Sequence, residues 1–150
     1  MERQGKDILQ FAIEREEEAY NFYTKAKEYV KTSNAKTFFN QLAMQELVHK
    51  QKLESMSISK ELLIDLSTLD VGNYTMTDQF ADDRQYHMEY QQILMLAINR
   101  EELSVRLYGD MRKVVKEPDK QQLFGVLMQE EQGHREELRM EYDAYVLTED

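Results

Sequence analysis

The chain contains no cysteine, no tryptophan, one proline and only five glycines in 150 residues. Without cysteine it can form no disulfide, thiolate zinc site, iron–sulfur cluster or thiol nucleophile. The scarcity of glycine and proline, beside abundant Glu, Lys, Gln, Leu and Met, favours helix over sheet. No run of 18 apolar residues occurs and residues 1–10 contain no apolar signal segment. We therefore expect a cytoplasmic protein without a membrane span.

Basic residues are outnumbered by acidic ones, which gives a formal net charge of −10. Phosphates would be repelled, so nucleic acid and anionic membrane surfaces are excluded as expected partners. Negative charge favours cation uptake, although a solvated acidic surface accounts for most of these residues. The length of 150 residues suits a single domain over 1–150.

Four long segments carry apolar residues at helical spacing, which predicts an all-α protein. The predicted helices span about 7–31, 35–57, 88–115 and 120–147. Short breaks, with N-cap candidates at Asn34 and Asp119, join the helices into two antiparallel hairpins. Residues 58–87 form a crossover long enough to run the length of a bundle, with a short helix expected in 60–70. The pattern is that of a four-helix bundle with one long crossover between helices two and three.

The two predicted hairpins are similar in sequence. An offset of 85 residues superposes them without a gap, so that residues 46–49 and 131–134 both read Glu-x-x-His and Tyr23 matches Tyr108. This repetition indicates a duplicated helical hairpin.

Six metal-binding side chains interrupt the apolar faces of the four helices. A Glu and a His three positions apart share one helix face, and a Glu on each partner helix lies on the apolar stripe. At a rise of ~1.5 Å per residue, all six fall within about one helical turn in height. The candidate ligands are Glu16, Glu46, His49, Glu101, Glu131 and His134.

Four buried carboxylates without counter-charge would be very costly, and two divalent cations would balance them. Oxygen-rich ligation with one imidazole for each metal suits iron or manganese, whereas zinc would bind without redox chemistry. The sequence therefore predicts a dinuclear metal site.

Each candidate also has a simpler interpretation. A single Glu-x-x-His pair in so acidic a chain would be read as a surface pair, and His87, which lacks the pattern, is predicted to be a surface residue. The nine methionines are interpreted as core residues. Tyr20, Tyr23 and Tyr108 are interpreted as packing residues that could also hydrogen-bond near the site.

The stretch 12–23, with Glu46-x-x-His49, Glu101 and Glu131-x-x-His134, resembles the rubrerythrin-like branch of the ferritin-like superfamily. The resemblance covers both hairpins. It implies a ferritin-like four-helix bundle holding two iron ions, with manganese or zinc as substitutes, and an enzyme that reduces peroxide or dioxygen. It also implies that Glu46 and Glu131 bridge the metals, with Glu16, His49, Glu101 and His134 as the other ligands.

The chain departs from the rubrerythrin pattern in two places. It has no cysteine-ligated rubredoxin module, so a separate protein is expected to donate electrons. Ser104 stands where a further carboxylate is found one turn after the third-helix ligand. Two alternatives therefore stay open: an iron-binding ferroxidase for sequestration, and a non-catalytic helical module with a structural metal. We also expect a homodimer.

Overall fold

The computed structural model describes residues 1–76 and 89–149, and all regular structure in these residues is helical. The predicted all-α architecture is confirmed. None of the described helices has a stretch long and apolar enough to cross a membrane. The helices are α1 (Glu2–Tyr29), α2 (Ser33–Ser55), α3 (Lys60–Leu66), α4 (Tyr90–Val114) and α5 (Pro118–Glu149), with a 3-10 turn at Val71–Tyr74.

The long helices pack as two hairpins, α1 with α2 and α4 with α5, and α1 also contacts α4. The short helix expected in 60–70 is α3, which packs on α1. A Cβ atom at Gly5 would lie 2.0 Å from the backbone oxygen of Leu63, so the absence of a side chain permits this close packing. His87 lies outside the described residues. The interpretation of all nine methionines as core residues was wrong, because Met1, Met44, Met95 and Met140 are exposed.

The first two helices begin earlier than the sequence predicted. Helix α1 starts at Glu2 rather than near residue 7. The prediction of Asn34 as the cap of α2 was wrong, because Thr32 takes that place. The Thr32 backbone is extended and its hydroxyl accepts a hydrogen bond from the amide of Ala35 at 3.1 Å. A hydroxyl cap two residues earlier thus satisfies a free amide of the first turn.

Helix α5 also begins earlier, at Pro118, so the prediction of Asp119 as its cap was wrong. The carbonyl of Glu117 accepts hydrogen bonds from the amides of Lys120 and Gln121. Proline suits the first helical position because its missing N–H would have no partner there. Asp119 instead lies in the first turn, where its negative charge is attracted to the positive end of the helix dipole.

Two apolar clusters fill the core, one on each side of a polar layer. The first cluster includes Ala12, Leu53 and Phe124 together with residues of α3. The second includes Tyr23 and Phe39. Each long helix carries one or two of the six predicted site residues, and these lie in sequence between its residues of the first cluster and its residues of the second. The polar layer therefore has apolar packing above and below. The carboxylates therefore meet at a level that is shielded from bulk solvent.

Candidate metal centre

The structure brings all six predicted ligand side chains together in the interior. Helix α1 contributes one glutamate, α4 another, and α2 and α5 each contribute a Glu-x-x-His pair. Every one of them is at most 5% exposed, although carboxylates and imidazoles are usually found at surfaces. They are Glu16, Glu46, His49, Glu101, Glu131 and His134.

The six side chains form two groups of four that could each hold a metal ion. The first metal group contains Glu16 and His49, the second contains Glu101 and His134, and both contain Glu46 and Glu131. Within each group the candidate ligand atoms lie within 4.8 Å of one another. Two carboxylates therefore lie between the two groups, where each could serve both metals.

Each imidazole directs its Nδ1 atom towards the glutamates of its group. His49 Nδ1 lies 3.4 Å from Glu16 Oε2 and 3.3 Å from Glu131 Oε1. His134 Nδ1 lies 3.1 Å from both Glu46 Oε1 and Glu131 Oε1. Ligand atoms about 2.0–2.2 Å from a common cation would lie roughly 3 Å apart, close to these separations. The spacing is therefore suitable for a shared cation.

Two tyrosines orient the outer glutamates, and each acts across the bundle. Tyr23 on α1 donates to Glu101 Oε1 on α4 at 2.6 Å. Tyr108 on α4 donates to Glu16 Oε1 on α1, also at 2.6 Å. In both glutamates the second oxygen, Oε2, is left facing the cluster. The hydrogen bonds thus fix one oxygen of each carboxylate and leave the other available as a ligand.

Two other residues singled out in the sequence belong to neither metal group. Tyr20 packs, partly buried, against the second apolar cluster and, among the described residues, has no hydrogen bond to the six. Ser104 is partly buried on α4 and belongs to neither group. The tyrosines that reach the site are thus the two that match in the sequence repeat.

Sequence reasoning missed the two residues that contact the outer nitrogens of the imidazoles. His49 Nε2 lies 2.5 Å from Glu130 Oε2. His134 Nε2 is hydrogen-bonded to Gln45 Oε1. Each partner immediately precedes a ligand glutamate in sequence but reaches the histidine of the other hairpin. Gln45 and Glu130 match at the offset of 85, which is the sequence signal that could have identified them. That match indicates a role at the histidines only once α2 and α5 are known to be neighbours.

The cluster fits a pair of cations because its own atoms do not satisfy one another. Seven of the nine buried side-chain nitrogen and oxygen atoms that lack a hydrogen-bond partner in the described residues belong to these six side chains. Such atoms are rare in folded proteins and need an explanation, such as a bound ion or water or a catalytic role. They include Nδ1 of both histidines and at least one oxygen of every glutamate. Metal binding would supply the missing partners.

Burial and mutual repulsion perturb the acidity of the metal-free cluster. Burial, followed by repulsion from Glu131, raises the pKa of Glu16 to about 7 and that of Glu101 to about 8. Burial and neighbouring carboxylates also raise the pKa of Glu46 well above its usual range. Burial opposes ionisation of Glu131 as well, but its interactions with His134 and His49 are stronger and lower its pKa.

Both imidazoles hold their protons firmly when no metal is bound. Burial lowers the pKa of His49, but interactions with Glu131 and Glu16 raise it to about 11. Interactions with Glu101 and Glu131 outweigh burial at His134 and raise its pKa to about 10. Protons therefore compensate the buried negative charge in the metal-free cluster, and a cation binding there has to displace them.

An all-α bundle with a buried cluster of four glutamates and two histidines has the architecture of ferritin-like carboxylate proteins. The family model described as Rubrerythrin matches residues 7–142. The chain belongs to the rubrerythrin family. Searches of curated proteins and of solved structures found no match. The family and the buried cluster together fit a di-iron carboxylate site and suggest bound metal.

Proposed function

We propose that this protein is a non-haem di-iron oxidoreductase that reduces peroxide or dioxygen with electrons from an external donor. Glu46 and Glu131 would be shared by the two iron ions, Glu16 and His49 would complete the first metal group, and Glu101 and His134 would complete the second. Manganese or zinc could occupy the same ligands.

One observation carries this proposal: the unsatisfied buried atoms of the protein converge on a cluster of four carboxylates and two imidazoles. Such a cluster is unfavourable without cations, because burial penalises each charge and the charges repel one another. Two divalent ions match the charge of four glutamates. Four protein residues in each group leave coordination positions open, as in non-haem iron sites that react with oxygen.

When bound there, two ferrous ions would together supply two electrons, which with two protons reduce H₂O₂ to water or O₂ to H₂O₂, and the external donor would return the iron to the ferrous state. The protein orients the ligands and excludes water. The tyrosines hold the outer carboxylates, and the apolar clusters above and below the polar layer keep other reductants and bulk water away. Peroxide and dioxygen are small enough to enter such an enclosed layer, which supports them as substrates over larger molecules.

The proposal is tested by loading the protein anaerobically with Fe²⁺ and mixing it with H₂O₂ or O₂ in a stopped-flow spectrometer. We expect the absorbance of oxidised iron to rise faster than in buffer, and the faster oxidant to be the physiological one. The matched control is the Glu46→Gln, Glu131→Gln double variant, which keeps side-chain volume and loses the shared ligands. Oxidation no faster than in buffer contradicts the proposal.

Metal stoichiometry distinguishes the alternative of iron sequestration. Ser104, in the place of a further carboxylate, is the observation that favours a ferroxidase over a peroxidase. About two irons per chain supports a catalytic centre, whereas many irons per chain support storage. If Glu46→Ala with Glu131→Ala lowers stability and leaves oxidant turnover unchanged, the metal is structural.

Three further proposals accompany this function. A separate protein donates the electrons to this domain, because these 150 residues contain no cysteine that could ligate an electron-transfer iron centre. Exposed apolar side chains such as Met44 and Val48 on α2 support a homodimer, which sedimentation in solution tests. The absence of cysteine supports a reducing, cytoplasmic location, and cell fractionation tests it.

A further inference from the structure

The two imidazoles of the cluster differ in the residue that accepts their outer proton. Because Nδ1 of each faces the glutamates, an imidazole that binds metal through Nδ1 carries its proton on Nε2. His49 Nε2–H then donates to the carboxylate of Glu130, over 2.5 Å. His134 Nε2–H donates to the amide oxygen of Gln45. One imidazole thus meets a charged acceptor and the other a neutral one.

This difference breaks the repeat at its centre. The offset of 85 that matches Glu16 with Glu101 and Glu46 with Glu131 also matches Gln45 with Glu130. The inner ligands of the two hairpins are therefore identical, whereas their outer partners are not. A difference between two solvent-exposed residues would not affect the metal site, but both of these residues contact a buried histidine.

The two acceptors also differ in the charged side chains near them. Lys52 Nζ lies 3.8 Å from Glu130 Oε1, so the carboxylate is held between an ammonium group and His49. The offset places Glu137 where Lys52 stands in the other hairpin. Gln45, Lys52, Glu130 and Glu137 all line one surface cavity of about 490 Å³. Substitutions among them therefore need not disturb the packed core.

We propose that Glu130 is a positioning residue that makes the two metal positions unequal. The position of the first metal group, with His49, binds its ion more tightly and fills first; the position of the second metal group, with His134, fills later. A carboxylate that accepts the outer imidazole proton makes the ligating nitrogen a stronger donor than an amide does, and such partners commonly change metal affinity about 10–100-fold. This inference rests on the proposed dinuclear centre and adds the order in which it loads.

The test is an anaerobic calorimetric titration with Zn²⁺, followed in parallel by ¹⁵N spectra of the histidine side chains. The native protein should bind two ions in two steps, with the His49 nitrogen responding to the first equivalent. Glu130→Gln should weaken the first step about tenfold or more, so that the two steps merge. Gln45→Glu should tighten the second step. The double variant Glu130→Gln, Gln45→Glu should reverse the order, with His134 responding first.

Glu137→Gln is the matched control, because it removes one negative charge from the same cavity without removing an acceptor of either imidazole proton. It should leave both steps unchanged. Equal affinities in the native protein, or a Glu137→Gln effect as large as that of Glu130→Gln, overturn the inference while two bound ions still support the centre. Failure to bind two ions overturns the proposed function itself. The tightening expected from Gln45→Glu separates the outcome from misfolding, because a damaged fold weakens binding.

Discussion

The two hairpins of this protein bring matching metal ligands to the interior, but their ends are packed differently. Both bring a glutamate, a Glu-x-x-His pair and a buried tyrosine to the polar layer. At the matched positions 5 and 90, however, Gly5 admits the backbone of α3, whereas Tyr90 packs in an aromatic group with Phe39 and Tyr145. The interior stays alike because six side chains must meet at one place. The ends could change because each needs only to be filled.

The largest effect is expected from the two glutamates that both metal groups share. Replacing Glu46 and Glu131 together by glutamine should abolish binding at both metal positions, because each residue belongs to both groups. Elemental analysis of the purified variant measures the bound metal. Retention of two tightly bound ions would contradict the shared role.

Substitution of the two glutamates that belong to a single metal group tests whether each hairpin contributes one metal position. Glu16→Gln and Glu101→Gln should each leave about one tightly bound metal per chain, because each side chain belongs to a single group. Isothermal titration with Zn²⁺ measures the number of ions. Loss of both ions from either variant would mean that the positions cannot be filled separately.

Gly5 tests the end at which the hairpins differ. Overpacking typically costs about 1–3 kcal/mol. Gly5→Ala should lower the free energy of unfolding by more than this, because the new methyl group clashes with backbone rather than with a flexible side chain. Urea unfolding of the metal-free protein measures the change in free energy of unfolding. An unchanged midpoint would show that α3 does not pack against α1 in solution.

The buried tyrosines should respond alike in the two halves. Tyr23→Phe and Tyr108→Phe each remove one hydrogen bond to a carboxylate, and each should lower stability by about 1.5–3 kcal/mol. Each should also weaken metal binding at the position whose glutamate it orients. Paired urea unfolding and Zn²⁺ titration of the two variants make the comparison. Effects confined to one tyrosine would show that the crossed hydrogen bonds are not equivalent.

Gly133 should give the smallest effect, and in the opposite direction. A Cβ atom there meets no atom within 4 Å, and the matched residue of the other hairpin is Val48. Gly133→Ala should therefore stabilise the protein by about 0.5–1 kcal/mol through helix propensity. Thermal unfolding checks the gain. Destabilisation would mean that the space beside His134 is occupied in solution.

The sequence predicted the helices and the convergence of six side chains because both depend on periodicity along a helix. It misplaced the caps at Asn34 and Asp119, since several neighbouring residues can satisfy the first amides of a helix and packing decides among them. Helical periodicity could not predict the hydrogen bonds of Tyr23 and Tyr108 or the contacts of Gln45 and Glu130 with the histidines. Each acts on the opposite hairpin, and only the distance between helices reveals which residue it reaches.

The crossed arrangement of ligands has a consequence for ancestry. Each metal group takes at least one glutamate from the other hairpin, so a single ancestral hairpin could have formed the centre only by pairing with a second copy. In such a symmetric pair every residue has an identical counterpart, and the two metals are necessarily equivalent. Two hairpins in one chain are free of that constraint. Gln45 and Glu130 could then diverge at a place where two identical subunits would have had to agree.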